Sequence, residues 1–149
     1  MSQSLSVVII TLNEEANLGR TLASVSELVK QTSGEIIVVD SGSTDRTVEI
    51  AKSLGAKVFV EPWKGYAAQK NSAIDKASGD WILSLDADEE LSNIASQIIV
   101  RILGPDSDVY SHFSGVWLNA VRTKVVIKHP AVSKRNFILH GPLSKLTIE

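Results

Sequence analysis

Asp86, Asp88, Glu89 and Glu90 place four carboxylates within five residues, directly after the apolar run WILSLD (81–86). Like charges this close repel one another, so either water solvates them or a cation neutralises them. Asp86 and Asp88 are two residues apart, which on an extended backbone aims both side chains to one side. Two carboxylates at a strand tip suit a hard divalent cation, Mg²⁺ or Mn²⁺, with open positions for waters and phosphate oxygens. Glu89 and Glu90 read more simply as solvated acids at the start of a helix, where its dipole favours them. A bare D-x-D is common, and alone it leaves metal binding and a solvated tip both open.

Other polar residues gain meaning only from position. Asp40 ends a second apolar run, EIIVVD (35–40), before SGSTD. It is either a turn acid that accepts its own loop amides or an acceptor for a nucleobase N–H. Lys70 is either a solvated side chain or a phosphate contact. Trp63 either caps the sheet edge or stacks on a ring. His112, His129 and His140 have no carboxylate neighbours in sequence, which makes neither a triad nor a zinc set. The chain has no G-x-G-x-x-G and no Walker loop, so it lacks the phosphate cradle of the dinucleotide-cofactor and P-loop classes.

The elements that must carry these residues alternate. Apolar, β-branched runs at 5–12, 35–40, 57–61 and 81–86 read as strands covered on both faces. Between them, 14–30 carries a helical stripe of Leu18, Leu22, Val25, Leu28 and Val29. A second helix follows Ser43 or Thr44 as N-cap, with Asp45 in its first turn and Gly55 as its stop. A third spans 66–79 and closes at Gly79, and a fourth, 92–103, is capped by Ser92. Four strand–helix repeats with short links specify an α/β fold, a doubly wound, mostly parallel sheet. Such sheets bind ligands beyond the carboxyl ends of their strands. Asp40, Asp86, Asp88 and the turn Thr11-Leu12-Asn13-Glu14 all fall at such ends.

A length of 149 residues suits one domain, and 44% hydrophobic content is enough for a packed core. The absence of cysteine excludes disulfides and thiolate metal sites. The N-terminal apolar run is too short to span a bilayer and lacks a basic leader, so the expected location is the cytoplasm. Charge divides the chain in two. Residues 1–108 hold 9 basic and 16 acidic residues, whereas 109–149 hold 6 basic residues and the single acid Glu149. The division is therefore an α/β unit over 1–108 and a basic tail over 109–149, in which 109–118 and 123–129 read as strands. A weakly basic tail is no case for nucleic acid.

Read together, SVVIITLNEEANLGRTLASV, IIVVDSGSTDRTVEIA and GYAAQKNSAIDKASGDWILSLDADEEL closely resemble glycosyltransferase family 2, of the GT-A fold, over about residues 4–103. TLNEE and DSGSTD are most similar to the bacterial subgroup that builds lipopolysaccharide core and related cell-envelope glycans. The resemblance implies a transferase that takes a nucleotide-diphosphate sugar, a UDP-sugar foremost, and passes the sugar to a glycan or glycolipid acceptor with inversion. It implies that Thr11, Leu12, Asn13 and Glu14 hold the nucleoside and that Asp40 contacts the base. It places Lys70 and Asn71 near the ribose and diphosphate, and makes Asp86 and Asp88 the metal pair for Mn²⁺ or Mg²⁺, with Asp88 the direct ligand. An acceptor in the cell envelope implies work at the inner face of the cytoplasmic membrane, with peripheral association. Family members carry a carboxylate base downstream of the D-x-D, yet no acid lies between Tyr110 and Ile148. The catalytic base is thus unassigned, and the expectation is a donor-binding half with an incomplete acceptor half and a truncated or divergent end. Two other readings stand beside it: a non-catalytic nucleotide-sugar binder, and a receiver-like signalling domain. The receiver reading would need an acid pair at the end of the first strand, for which Glu14 and Glu15 could pass, and a lysine at the end of a late strand, but Asp40 is followed by a Ser/Gly turn rather than a phosphoacceptor site.

Overall fold

The computed structural model describes residues 4–103, 115–120 and 123–128. In chain order the elements are β1 (Leu5–Thr11), α1 (Leu18–Gln31), β2 (Glu35–Asp40), α2 (Thr47–Ser53), β3 (Lys57–Val60), α3 (Tyr66–Asp75), β4 (Trp81–Asp86), α4 (Asn93–Leu103), β5 (Gly115–Ala120) and β6 (Thr123–Lys128). The described strands form one sheet in the order β3-β2-β1-β4-β6-β5. The first four are parallel, β6 runs antiparallel to β4, and β5 antiparallel to β6. The mostly parallel, doubly wound sheet expected from the alternation is the observed one.

The unbroken apolar runs have a direct cause, since successive side chains of a strand point to opposite faces and here both faces are covered. Leu5, Val7 and Ile9 of β1 join Ile36 and Val38 of β2 and Trp81, Leu83 and Leu85 of β4 in one core. That core packs against Leu18, Leu22, Val25 and Leu28 of α1, Ala51 of α2, and Ala95, Ile99 and Leu103 of α4. The alternate residues Val8, Ile37, Val39 and Ile82 form a smaller core on the other face with Ala73 and Ile74 of α3. Each fully buried side chain of this size contributes about 1.5–3 kcal/mol.

Element ends differ from the sequence expectation for local reasons. Residues 14–17 are a turn, with the Leu18 amide donating to the Glu14 carbonyl, so α1 starts later than 14. α2 begins at Thr47 without a Ser43 or Thr44 cap, because the Ser43 hydroxyl is engaged by Asp40 and the Asn13 amide and the Thr44 hydroxyl faces the Asn13 side chain. α3 ends at Asp75 rather than at Gly79. Gly79 serves the next strand: a Cβ there would lie 2.7 Å from the Ser6 amide, too close for any side chain. Ser92 does cap α4, accepting from the Ala95 amide at 3.1 Å. Of the two tail segments, 123–128 is a strand beside β4 and 115–120 a strand beside it in turn, while the rest of 109–118 and residue 129 lie outside the described residues.

Gly34 and Gly19 offer a matched contrast. A Cβ on Gly34, between α1 and β2, would lie 2.1 Å from the Leu5 carbonyl oxygen, whereas one on Gly19 would meet nothing nearer than 3.9 Å. Gly34→Ala should lower the unfolding free energy by about 1–3 kcal/mol, since backbone must move. Gly19→Ala in α1 should leave it unchanged or raise it by up to about 1 kcal/mol. Urea titrations of the two variants check this, and a Gly34→Ala protein as stable as the parent would contradict the packing at the β1 start.

Candidate functional site

The parallel register brings the polar residues to one edge. Thr11 is level with Asp40, and Ile10 is level with Asp86, so the ends of β2, β1 and β4 lie side by side. Asp40 is fully buried there. Its Oδ1 accepts from the Thr11 hydroxyl at 2.8 Å and the Ser43 hydroxyl at 2.5 Å. Its Oδ2 accepts from the Gly42 and Ser43 amides at 2.9 and 2.7 Å. A carboxylate has about four acceptor positions, and all four are engaged.

The loops after β1 and β2 are laced together beyond Asp40. Asn13, in the left-handed region at φ 52°, donates its amide to the Ser43 hydroxyl and accepts the Thr44 amide on its side chain. The Glu14 amide donates to the Thr47 hydroxyl at 2.8 Å. The Glu15 amide donates to Asp45, and the Glu15 carboxylate accepts from the Arg46 amide. Leu12 is left 51% exposed at the crest of the first loop.

At the end of β4, Lys70 of α3 donates to Asp86 Oδ1 at 2.7 Å, with both side chains partly open to solvent. β4 stops at Asp86, and 87–88 form a turn, so the extended-backbone geometry expected for the Asp86/Asp88 pair does not hold. The Glu89 carboxylate accepts from the Asp86 amide and the Glu89 amide donates to the Asp86 carbonyl, which closes the turn. The Ala87 carbonyl is pinned by the Thr21 hydroxyl at 2.8 Å. Asp88 is exposed at the crest of the turn. Glu89 and Glu90 therefore precede α4 instead of opening it. Asn71 is half-buried on α3 and makes no side-chain hydrogen bond among the described residues. Asp86 and Asp88 offer oxygen donors only, which suits a hard cation. They are a pair, for among the described residues no group of three or more His, Cys, Asp and Glu is placed to hold a metal.

A second anchor fixes α3 to the same edge. The Glu61 amide donates to the Asp40 carbonyl. The Glu61 carboxylate takes Lys64 at 2.7 Å, Ser72 at 2.6 Å and Lys76 at 2.5 Å. Between Glu61 and α3, Trp63 and Tyr66 meet edge to face at 4.9 Å, and both are exposed. Sequence reading did not single out Ser41 and Gln69, which bond to each other at 3.2 Å beside Asp40. The signal for Gln69 was present: it shares the inward stripe of α3 with Ala73 at i+4, a polar residue where the pattern asks for an apolar one.

The model of the family described as glycosyl transferase family 2 matches residues 6–117. The chain belongs to this family. Among relatives, an uncharacterized glycosyltransferase of Rickettsia felis is 42% identical over 145 residues, which is 97% of this chain and 47% of the relative. The lipopolysaccharide core biosynthesis glycosyltransferase LpsC of Rhizobium meliloti is 36% identical over 110 residues, covering 70% of this chain and 39% of LpsC. The solved structure of glucosyl-3-phosphoglycerate synthase from Mycobacterium tuberculosis, in complex with Mn²⁺, UDP and glucosyl-3-phosphoglycerate, superposes with a TM-score of 0.52 at 32% identity, over 59% of this chain and 36% of that one. The chain thus spans less than half the length of these relatives.

The family 2 assignment and the GT-A fold agree with the sequence reading, and the structure gathers Thr11, Asn13, Glu14, Asp40, Lys70 and Asp86 on the edge where the motifs place them. His112, His129, His140, Tyr110 and Glu149 lie outside the described residues. The anchor at Glu61 is a titration device. Lys64, Lys76 and Ser72 together hold its carboxyl at about 2, from an ordinary value near 4.5. A carboxyl whose pKa is depressed on folding stabilises the fold above its unfolded value, and that contribution fades as pH falls towards the folded one. Melting temperature should therefore drop between about pH 4.5 and pH 2. Glu61→Gln should start lower at pH 7 and show a shallower drop across that window, because its amide does not titrate. A pH-melt series on both proteins reads this directly, and parallel curves would remove Glu61 from the account.

Proposed function

We propose that this chain binds a nucleotide-diphosphate sugar, most simply a UDP-sugar, at the carboxyl edge of β2, β1 and β4, for transfer of the sugar to a cell-envelope glycan or glycolipid with inversion. The observation that carries the reading is the Lys70–Asp86 pair beside the exposed Asp88, one strand away from the laced loops at Thr11 and Asp40. The laced loops form a rigid rim suited to a nucleoside. The β4 tip offers carboxylates and one ammonium suited to a diphosphate. Mn²⁺ or Mg²⁺ belongs to the same proposal, held by Asp88 and Asp86, and when bound it would draw charge from the departing diphosphate. UDP and Mn²⁺ in the mycobacterial synthase and lipopolysaccharide core synthesis for LpsC support the donor and acceptor classes.

The chain's own groups have separable tasks in this reading. Lys70, with its ammonium 2.7 Å from Asp86, keeps the β4 tip from repelling a diphosphate before the cation arrives. Once a phosphate is bound, the same ammonium can turn to it. Asp88, exposed at the crest and unengaged among the described residues, is available as the direct ligand. The acceptor's proton needs a base, and 110–148 contains no carboxylate. A placed base contributes typically about 10²–10⁴-fold to rate. The 149 residues are accordingly proposed to bind donor and to transfer sugar poorly.

Addition of a UDP-sugar with Mn²⁺ should raise the melting temperature of the chain, by mass action on the folded state. Asp88→Asn should abolish most of that rise, because the amide keeps the shape and removes the charge. A full rise in Asp88→Asn, or none in the parent, would sink the reading. In a transfer assay with a glycolipid acceptor, turnover of about 1 s⁻¹ or more would show that a base exists among these residues after all.

A further inference from the structure

Thr21 is the odd member of the α1 stripe. It lies fully buried beside Leu18, Leu22 and Val25, where the pattern asks for an apolar side chain. A buried hydroxyl is tolerated only when it is hydrogen-bonded. Valine has the same branched shape and makes no such demand. Threonines in helices commonly bond back to a carbonyl of the preceding turn. The Thr21 hydroxyl instead donates across the molecule, to the Ala87 carbonyl at 2.8 Å.

The backbone carbonyl of Thr21 is engaged in the same direction. It accepts from the Ser24 hydroxyl at 2.6 Å, and the Ser24 oxygen in turn accepts from the Leu91 amide at 3.0 Å. One residue of α1 therefore ties down both ends of the segment 87–91, Ala87 directly and Leu91 through Ser24. Both ends are sunk in the larger core, and Asp88 stands exposed between them. The bonds between Glu89 and Asp86 shape this turn from within. The contact of Arg20 with Glu90, at 3.5 Å between two exposed side chains, adds little. The Thr21 bond fixes the turn against the rest of the molecule. It reaches Asp88 through covalent geometry, because the Ala87 carbonyl and the Asp88 amide belong to one planar peptide unit. Holding the oxygen fixes that plane, and with it the direction from which the Asp88 side chain springs.

We infer that Thr21 is a positioning residue for the divalent cation: its hydroxyl aims Asp88 by holding the peptide between Ala87 and Asp88, and Ser24 secures the far end of the segment. This rests on the donor-and-metal reading above and extends it to a residue sealed in the core. A carboxylate aimed in advance loses less freedom when the ion arrives.

Mn²⁺ titrations of the 149-residue chain at saturating UDP, read from the electron paramagnetic resonance signal of free Mn²⁺, test it. Thr21→Val keeps the branched shape and removes the donor. It should weaken Mn²⁺ about tenfold, the low end of what partners behind a metal ligand contribute. Thr21→Ser should bind Mn²⁺ close to the parent level, since the hydroxyl returns. Ser24→Ala should show a smaller loss of the same kind. Relaxation of water protons by the bound ion gives a second readout. In Thr21→Val the loosened carboxylate yields its place on Mn²⁺ to water, so relaxation per bound ion should quicken. Calorimetry with UDP and EDTA, without metal, should give the same affinity for the parent and Thr21→Val. A parent chain that takes up no Mn²⁺ in the presence of UDP would remove the metal reading itself. If the parent takes up Mn²⁺ and Thr21→Val, held well below its melting temperature, does so equally tightly, only this inference is overturned. An equal loss of metal-free UDP binding would make Thr21 a general prop of the fold and overturn its role towards the ion. Failure of Thr21→Ser to rescue would overturn the part assigned to the hydroxyl.

Discussion

The carboxyl ends of parallel strands converge on one edge, and the loops that leave them must satisfy their own backbone groups before they can receive anything else. Asp40 solves this for β1 and β2 together. It carries a charge into a fully buried position and meets it with four donors, one from the end of β1 and three from the turn after β2. A buried charge is tolerable only when it is so completely bonded. Removing any donor would leave it short, so Thr11, Gly42 and Ser43 are held as firmly as the acid. The remaining lacing, from Asn13 to Thr44 and from Glu14 to Thr47, builds on turns that Asp40 has already fixed.

The opposite problem arises at β4, where four carboxylates crowd an exposed tip. They are not equivalent. Glu89 spends its charge on the Asp86 amide, Asp86 on Lys70, and Glu90 lies 3.5 Å from Arg20. Asp88 is left at the crest. The repulsion that made the stretch conspicuous is thus shared out among local partners, and one carboxylate is presented outward. A carboxylate that accepts a backbone amide also fixes the turn, which explains why β4 ends at Asp86 and does not run on to Asp88.

The parallel sheet was legible because its cause is purely periodic: apolar runs with no alternation mean two covered faces, and Val7 against Val8 shows the two faces on adjacent residues. The convergence of Thr11, Asp40 and Asp86 followed from topology alone. What escaped were features that depend on where side chains reach across the chain. Ser43 looks like a helix cap in sequence, yet its hydroxyl is claimed by Asp40 and the Asn13 amide. Gly79 looks like a helix stop, yet its constraint comes from Ser6, 73 residues earlier. Each of these needs a partner remote in sequence, and no local pattern announces it.

The two faces of the sheet are insulated very differently. α1, α2 and α4 share the larger core, while α3 is the described helix that supplies the smaller one, through Ala73 and Ile74. Such a helix has little apolar area to lose on lifting, and regions of that kind open at a small fraction of the global unfolding free energy. α3 is also the element that carries Gln69, Lys70 and Asn71. The part of the rim that carries Lys70 and Asn71 is therefore the part the core holds least, and any ligand that bridges it to β2 and β4 acts as a fastener. Part of its intrinsic affinity is spent on quieting α3, and exchange of the α3 amides with solvent is where its arrival would register most strongly.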